Sequence, residues 1–259
     1  MILRQFLDTD PVVAASYLIG CGGQSVAAVI DPVGDPLHYR EAAAEHGMSI
    51  RYVIDTHIHA DHLSSGRGIA ASVGAEYLLG PGNDGAAADY RAVDGEILEL
   101  GNVSLQVIHT PGHTPEHVTL LVTDGTRGPE PWAAVTGHTL MAGDMGRTEL
   151  AGDPSRGAQD LFDSAERLRT LPDHVLVLPG AFSGSVCGRG LSGNPISTIG
   201  FERRFNRAFR MTSRDEFVRF MLSNIPKPPP DAAATRATNM SARAGVEFVP
   251  MNKGNRVGR

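Results

Sequence analysis

The segment DTHIHADH, Asp55 to His62, constrains this chain more than any other stretch. It packs three of the chain's ten histidines and two aspartates into eight residues, directly after the apolar run RYVI. RYVI reads as a buried strand, so the histidine-rich segment leaves a sheet at the strand's end. In extended backbone residues i and i+2 share a face, so His57 and His59 point the same way. Asp61 and His62 follow where the chain turns. Two neutral imidazoles beside an Asp–His pair make a divalent-metal site. The plainer reading is a solvated loop that happens to be His-rich, and the tight spacing argues against it.

A second piece is HTPGHTPEH, His109 to His117. Pro111-Gly112 makes a tight turn that presents His113 at the end of the strand LQVIHT, so His113 is a candidate ligand. His117 reads as packing or hydrogen bonding nearby, and His109 as an ordinary strand residue. A third piece is TGHTLMAGD, which offers both His138 and Asp144.

The rest of the chain places these pieces. Tyr17–Ile19 and Ser25–Ile30 read as strands around a Gly-Gly turn, and HYREAAAEHGM as a helix closed by Gly47. SSGRGIAASVG is a short helix ending at Gly74, and EYLLG a strand. EILELGNVSLQVIHTPGHTPEHVTLLVTD gives three strands, and PWAAVTGHTLMAGD an apolar strand entering a loop. SRGAQDLFDSAERLRTLP is an amphipathic helix with Leu161, Ala165, Leu168 and Leu171 on one face. HVLVLPGAF is a buried strand, and ERRFNRAFRM and SRDEFVRFMLSNI are helical. Strands, a helix, more strands and then helices predict an α+β chain with two packed sheets and helices outside. Residues 1–225 form that domain, built of two similar halves without an internal sequence repeat. Residues 226–259 are Pro-, Ala- and Thr-rich, a tail that wraps the surface or is partly disordered, with GVEFVP adding an edge contact.

Composition excludes several function classes. At 259 residues and 41% hydrophobic, the chain can bury a sizeable core. Its net charge of −6, without a basic stripe, argues against a nucleic-acid partner. No apolar run approaches the roughly 18 residues of a membrane span. The N-terminus lacks a signal-peptide apolar region. Cys21 and Cys187 are far apart, which argues against a disulfide framework. A cytoplasmic location is expected, and a homodimer is compatible with it.

THIHADH, TPGHTPEH and TGHTLMAGDMGRTEL together resemble the metallo-β-lactamase superfamily. Within it the chain is most similar to the branch of glyoxalase II (hydroxyacylglutathione hydrolase) and the persulfide dioxygenases. The resemblance spans roughly Met1 to Phe209, and GSVCGRGLSGNPISTIGFERRFN resembles persulfide dioxygenases that elsewhere are fused to rhodanese domains. It implies a four-layer αβ/βα sandwich with the metal site at one edge between the sheets. It also implies a first site of His57, His59 and His113, and a second of Asp61 and His62, completed by a bridging Asp from TGDTL and a His from a late PGH.

The chain departs at both of the last positions. His138 stands at the bridging-Asp position, and Ala181 where the late His belongs. Two cations about 3.5–4 Å apart need anionic bridging to coexist. A neutral imidazole removes it, so one divalent metal per chain is expected, on His57, His59, His113 and His138. Asp144 is a further candidate ligand; its plainer reading is an acid in a turn, where it could pair with Arg147. Fe(II) is favoured by the resemblance, with Zn(II) the alternative, because an all-imidazole set suits either. Asp61 and His62 are then free to orient a ligand or act as a base, and Asp31 and Asp55 to accept the distal N–H of ligand histidines. By resemblance Arg147 holds a thiol substrate's carboxylate and Ser185 lies near the substrate, while Cys187 reads as a packing cysteine.

Three functions follow. The first is dioxygen-dependent oxidation of a small-molecule thiol or persulfide. The second is hydrolysis of a thioester, as in glyoxalase II. The third is a non-catalytic metal-binding relative.

Overall fold

Alternation along single strands builds the central core. In β2 (Ala14–Cys21), residues Ala15, Tyr17, Ile19 and Cys21 face one way and Leu18 the other. In β8 (Val103–His109), Val103, Leu105 and Val107 repeat the pattern from the opposite side. The computed structural model describes residues 1–10, 12–82, 85–223, 225, 227–229 and 231–241.

Two six-stranded sheets carry these strands. The first runs β1 (Ile2–Asp8), β2, β3 (Val26–Ile30), β4 (Ser49–Ile54), β5 (Glu76–Leu79) and β6 (Tyr90–Arg91) in spatial order. β3, β4, β5 and β6 pair in parallel. The second sheet begins with the antiparallel strands β7 (Ile97–Leu100), β8, β9 (Val118–Asp124) and β10 (Ala133–Gly137). After a hairpin of β11 (Leu140–Met141) and β12 (Asp144–Met145), β13 (Leu176–Pro179) joins β10 in parallel and β14 (Ser197–Thr198) closes the edge. Tyr17, Ile30, Ile54, Leu105, Leu120, Val135 and Leu178 fill the space between the sheets.

Helices cover both outer faces. α1 (Pro36–Glu45) and α2 (Gly66–Val73) pack Tyr39, Ala42 and Ile69 on the first sheet. α3 (Pro154–Arg169), α4 (Ile199–Phe205) and α5 (Arg214–Leu222) pack Leu161, Phe162, Ile199 and Phe217 on the second, joined by Phe209 from the α4–α5 turn. The result is the four-layer αβ/βα sandwich. Among the described residues no helix is long and apolar enough to cross a membrane.

Several elements differ from the sequence reading, among them β6, β14 and the β11–β12 hairpin, which it did not assign as strands, and α4, which ends at Phe205 within the stretch read as helical. β1 was not anticipated: it is an edge strand of half-buried residues, so its apolar alternation is weak. In the tail, Ala232–Met240 is a helix, α6, which the sequence reading did not assign. Four alanines in DAAATRATNM favour it. Residues 242–259, including GVEFVP, lie outside the described residues.

Candidate metal centre

The site forms where strands of both sheets end together. Asp31 follows β3, and Asp55 to His62 follow the parallel β4. His113 sits in the β8–β9 turn, His138 follows β10, and Ala181 follows β13. Five chain segments thus meet at one sheet edge, and His57, His59, His62, His113 and His138 are all buried there.

Hydrogen bonds set the tautomers. Asp31 accepts from Thr56 N (2.6 Å) and Thr56 Oγ1 (2.8 Å). The single Thr56 hydroxyl proton is thereby spent, so at 3.0 Å Thr56 Oγ1 accepts from His57 Nδ1–H. His57 Nε2 is left as a bare lone pair. In the same way His113 Nδ1–H donates to the Arg147 carbonyl at 2.7 Å, which leaves Nε2 bare. His59 Nε2 donates to Asp31 Oδ1 at 3.2 Å, which directs Nδ1 toward Asp61, 3.7 Å away.

The bare nitrogens converge. Donor atoms of His57, His113 and His138 lie within 4.8 Å of one another. His113 Nε2 and His138 Nδ1 are 3.3 Å apart. Two ligand nitrogens about 2.0–2.1 Å from a tetrahedral cation are separated by about 3.3 Å. A second set of donors, His59, Asp61 and His62, adjoins the first, and His138 also lies within 4.8 Å of Asp61 and Cys187. The expected quartet therefore divides: His59 falls with Asp61 and His62 rather than in the His57–His113–His138 triad.

The residues fit a metal. Among the described residues, His57 Nε2, His59 Nδ1, both Asp61 oxygens, both His62 nitrogens and His138 Nε2 are buried without a hydrogen-bond partner. His62 Nδ1 lies 3.2 Å from Asp61 Oδ1, but without hydrogen-bond alignment. Buried polar atoms without partners are costly, and a cation supplies what they lack. Burial drives the His57 ring well below its ordinary value, His113 to about 3 and His138 to about 4. These three imidazoles are neutral at physiological pH, as ligation requires. His59 goes the other way: burial opposes its charge, but Asp31 and Asp61 outweigh burial and hold its proton. Asp61 is stabilised as an anion: burial opposes this, and His62 and His59 prevail.

His138 is held from behind. Its backbone N–H donates to His117 Nε2 at 3.1 Å, and His117 Nδ1 meets the Thr110 and Thr139 hydroxyls. His117 is thus the hydrogen-bonding residue expected of it. Gly137 makes the approach feasible: at φ 48° a Cβ there would lie 2.5 Å from Thr56 Oγ1 and 2.6 Å from His117 Nε2. Ala181 is fully buried and brings no donor.

Other candidates fall elsewhere. Asp144, a candidate ligand in the sequence, is committed to Arg189: its oxygens accept from the Arg189 side chain and from the N–H groups of Met145, Arg189 and Gly190. Its ion-pair partner is therefore Arg189, not Arg147. Arg147 is buried, and its guanidinium bonds Glu149 and the carbonyls of Val186 and Lys227. As folded, those N–H groups are aimed at protein oxygens rather than at an open pocket. Ser185 Oγ accepts from Cys187 N in a turn. Cys187 is buried beside Asp61, and burial and that anion push its thiol up. Asp55 accepts from Tyr77 Oη at 2.6 Å, so it anchors the loop through Tyr77. The sequence reading missed Thr56, which relays Asp31 to His57, and Glu116, which accepts from Ile58 N at 2.9 Å. Both lie inside the quoted motifs, where only their neighbours looked chemical.

A four-layer sandwich with histidine and aspartate donors at its sheet edge is the fold of the metallo-β-lactamases. The metallo-beta-lactamase superfamily model matches residues 9–180, and the chain belongs to that superfamily. It is similar to the mitochondrial persulfide dioxygenase ETHE1 of Bos taurus, 32% identical over 257 residues, covering 96% of this chain and 91% of the relative. It is also similar to the hydroxyacylglutathione hydrolase of Anaeromyxobacter dehalogenans, 37% identical over 158 residues, covering 59% and 56%. Among solved structures, a metallo-beta-lactamase of Staphylococcus aureus superposes with a TM-score of 0.87 at 33% identity, covering 94% of this chain and 73% of that one. These relatives place the chain in the branch that holds persulfide dioxygenases and hydroxyacylglutathione hydrolases.

Proposed function

We propose that the chain binds one divalent metal, Fe(II) in preference to Zn(II), and oxidises a small-molecule thiol or persulfide with dioxygen. The observation that carries this reading is the triad of neutral imidazoles, His57, His113 and His138, beside an Ala181 that offers no donor to a second metal. Likeness to a persulfide dioxygenase over nearly the whole chain supports the choice of reaction. His57, His113 and His138 would hold the metal, which would supply the redox chemistry for oxidising a sulfur anion with dioxygen. The protein supplies the rest. Asp31 fixes both His57, through Thr56, and His59, directly. Three neutral imidazoles would leave the charge of a bound cation uncompensated, which favours an anionic sulfur substrate. Asp61 and His62 stand beside it as a proton-handling pair.

A thioester hydrolase is the second reading, favoured by one observation: both Asp61 oxygens are unpartnered and the carboxylate is held ionised, as a base requires. The likeness to a hydroxyacylglutathione hydrolase covers a smaller part of the chain. Oxygen-electrode assays separate the two. The first reading expects iron-dependent dioxygen uptake on adding a low-molecular-weight persulfide. Thioester turnover by a zinc protein, without dioxygen uptake on any persulfide, would replace it with the second.

A further inference from the structure

The ligand loop from Thr56 to Ser65 has almost no regular structure of its own, yet four of its backbone groups are bonded by side chains of α6. Asn239 Nδ2 donates to the carbonyls of His59 (2.9 Å) and His62 (2.8 Å), and Asn239 Oδ1 accepts from Ser64 N at 3.1 Å. One amide thereby spends both its protons and its oxygen on three groups of the loop. Arg236 Nη1 donates to the Ile58 carbonyl at 2.8 Å. The same guanidinium pairs with both oxygens of the fully buried Glu116, at 3.2 and 3.3 Å. Glu116 in turn accepts from Ile58 N, and it lies three residues beyond His113. Arg236 and Glu116 therefore join the His57–His62 loop to the His113 turn. The helix is itself held by Arg67, which donates to the Asn239 carbonyl, and by Ala87 N, which donates to the Met240 carbonyl.

Among its described residues α6 buries little apolar surface. Ala232 is its one buried residue, and Met240 packs only partly against the first-sheet core. Its docking thus rests on polar bonds directed at the ligand loop rather than on apolar burial. The helix also lies outside residues 9–180, the part matched by the superfamily model.

We propose that α6 is a clamp that sets the metal affinity of the centre, with Asn239 and Arg236 as its positioning residues. Neither touches the metal donors. Asn239 fixes the backbone on either side of Asp61, and so the separation of His59, Asp61 and His62. Arg236 fixes Ile58, between His57 and His59, against the loop that carries His113. Partners that orient metal ligands typically contribute tenfold or more to affinity. The inference rests on the metal-centre reading above.

The test titrates Zn(II) alone into the full-length chain against a chromophoric chelator, for wild type, Asn239→Ala, Arg236→Met and Thr238→Ala. Thr238 Oγ1 bonds only within its own helix, to the Ala234 carbonyl, so Thr238→Ala is the control. Amide hydrogen exchange of residues 57–64 is followed in the metal-free proteins. Affinity about tenfold weaker in Asn239→Ala and Arg236→Met, with faster exchange confined to the ligand loop and the control unchanged, is the expected result. Arg236→Met guards against a failure of Asn239→Ala to fold, and a merely structural helix would lower thermal stability without moving metal affinity. Wild-type affinity in both variants overturns the clamp and leaves the metal centre standing. A wild-type chain that binds neither Zn(II) nor, titrated without oxygen, Fe(II) overturns both.

Discussion

Asp31 sits in the left-handed region at φ 50°, where a side chain other than glycine is uncommon and Asn or Asp is best tolerated. From there one carboxylate holds Thr56 twice and His59 once. Asp31→Asn keeps a residue suited to that backbone but removes the charge and one acceptor. Metal affinity is expected to fall about 10- to 100-fold with the fold retained, as read by chelator competition and circular dichroism. Protonation makes a second prediction. His113 and His138 titrate near 3 and 4 in the folded chain but near 6.5 when unfolded, because burial favours the neutral ring. Below about pH 6.5 the unfolded state therefore binds more protons, and each such ring costs about 1.4 kcal/mol of stability per pH unit. His59 has a raised value, so its contribution is complete below about pH 6.5 and is lost as pH rises through the folded value. The metal-free protein should melt highest near pH 6.5, with the melting temperature falling on both sides. A melting temperature that climbs between pH 6.5 and 5 would contradict the burial of these rings.

At the scale of elements, the centre depends on where strands stop. β10 must end in a left-handed Gly137 for His138 to reach the triad between Thr56 and His117. Gly137→Ala should cost about 1–3 kcal/mol in denaturant unfolding and lower metal content, since the strained backbone and the blocked contact act together. Most of the elements were legible in the sequence, because apolar runs, the helix stops at Gly47 and Gly74, and the Pro111-Gly112 turn are local signals. α3 carries Leu161, Ala165 and Leu168 on its buried face as expected, with Leu171 just past its end. The donors were legible too, since HxHxDH keeps its meaning at short range. What stayed hidden was long-range. Asp144 met Arg189 rather than Arg147 because the late Gly-rich loop folds back on the β11–β12 hairpin. The role of α6 depends on a contact between residues more than 170 positions apart, and its composition speaks only for a helix or a loose tail.

For the whole molecule, the two sheets must be held face to face at the edge where the donors meet. Tyr17 Oη, from the first sheet, donates to the Pro179 carbonyl of the second at 2.7 Å, and Ala15 N donates to the Gly180 carbonyl at 2.8 Å. Tyr17→Phe leaves a buried carbonyl short of a partner. It should destabilise the chain by about 1–3 kcal/mol in urea unfolding, with metal stoichiometry unchanged. The sandwich is common to hydrolases and dioxygenases, so the fold does not choose between them. The proposed choice rests on His138 and Ala181, an imidazole and a methyl group that would offer a second cation neither an anionic bridge nor a further donor. The most direct test is metal analysis of the chain isolated without oxygen, with X-ray absorption at the metal edge. One metal ion per chain, in a shell of imidazole nitrogens without a metal neighbour, is the expected result. Two ions per chain, with a metal–metal distance near 3.5 Å, would contradict it.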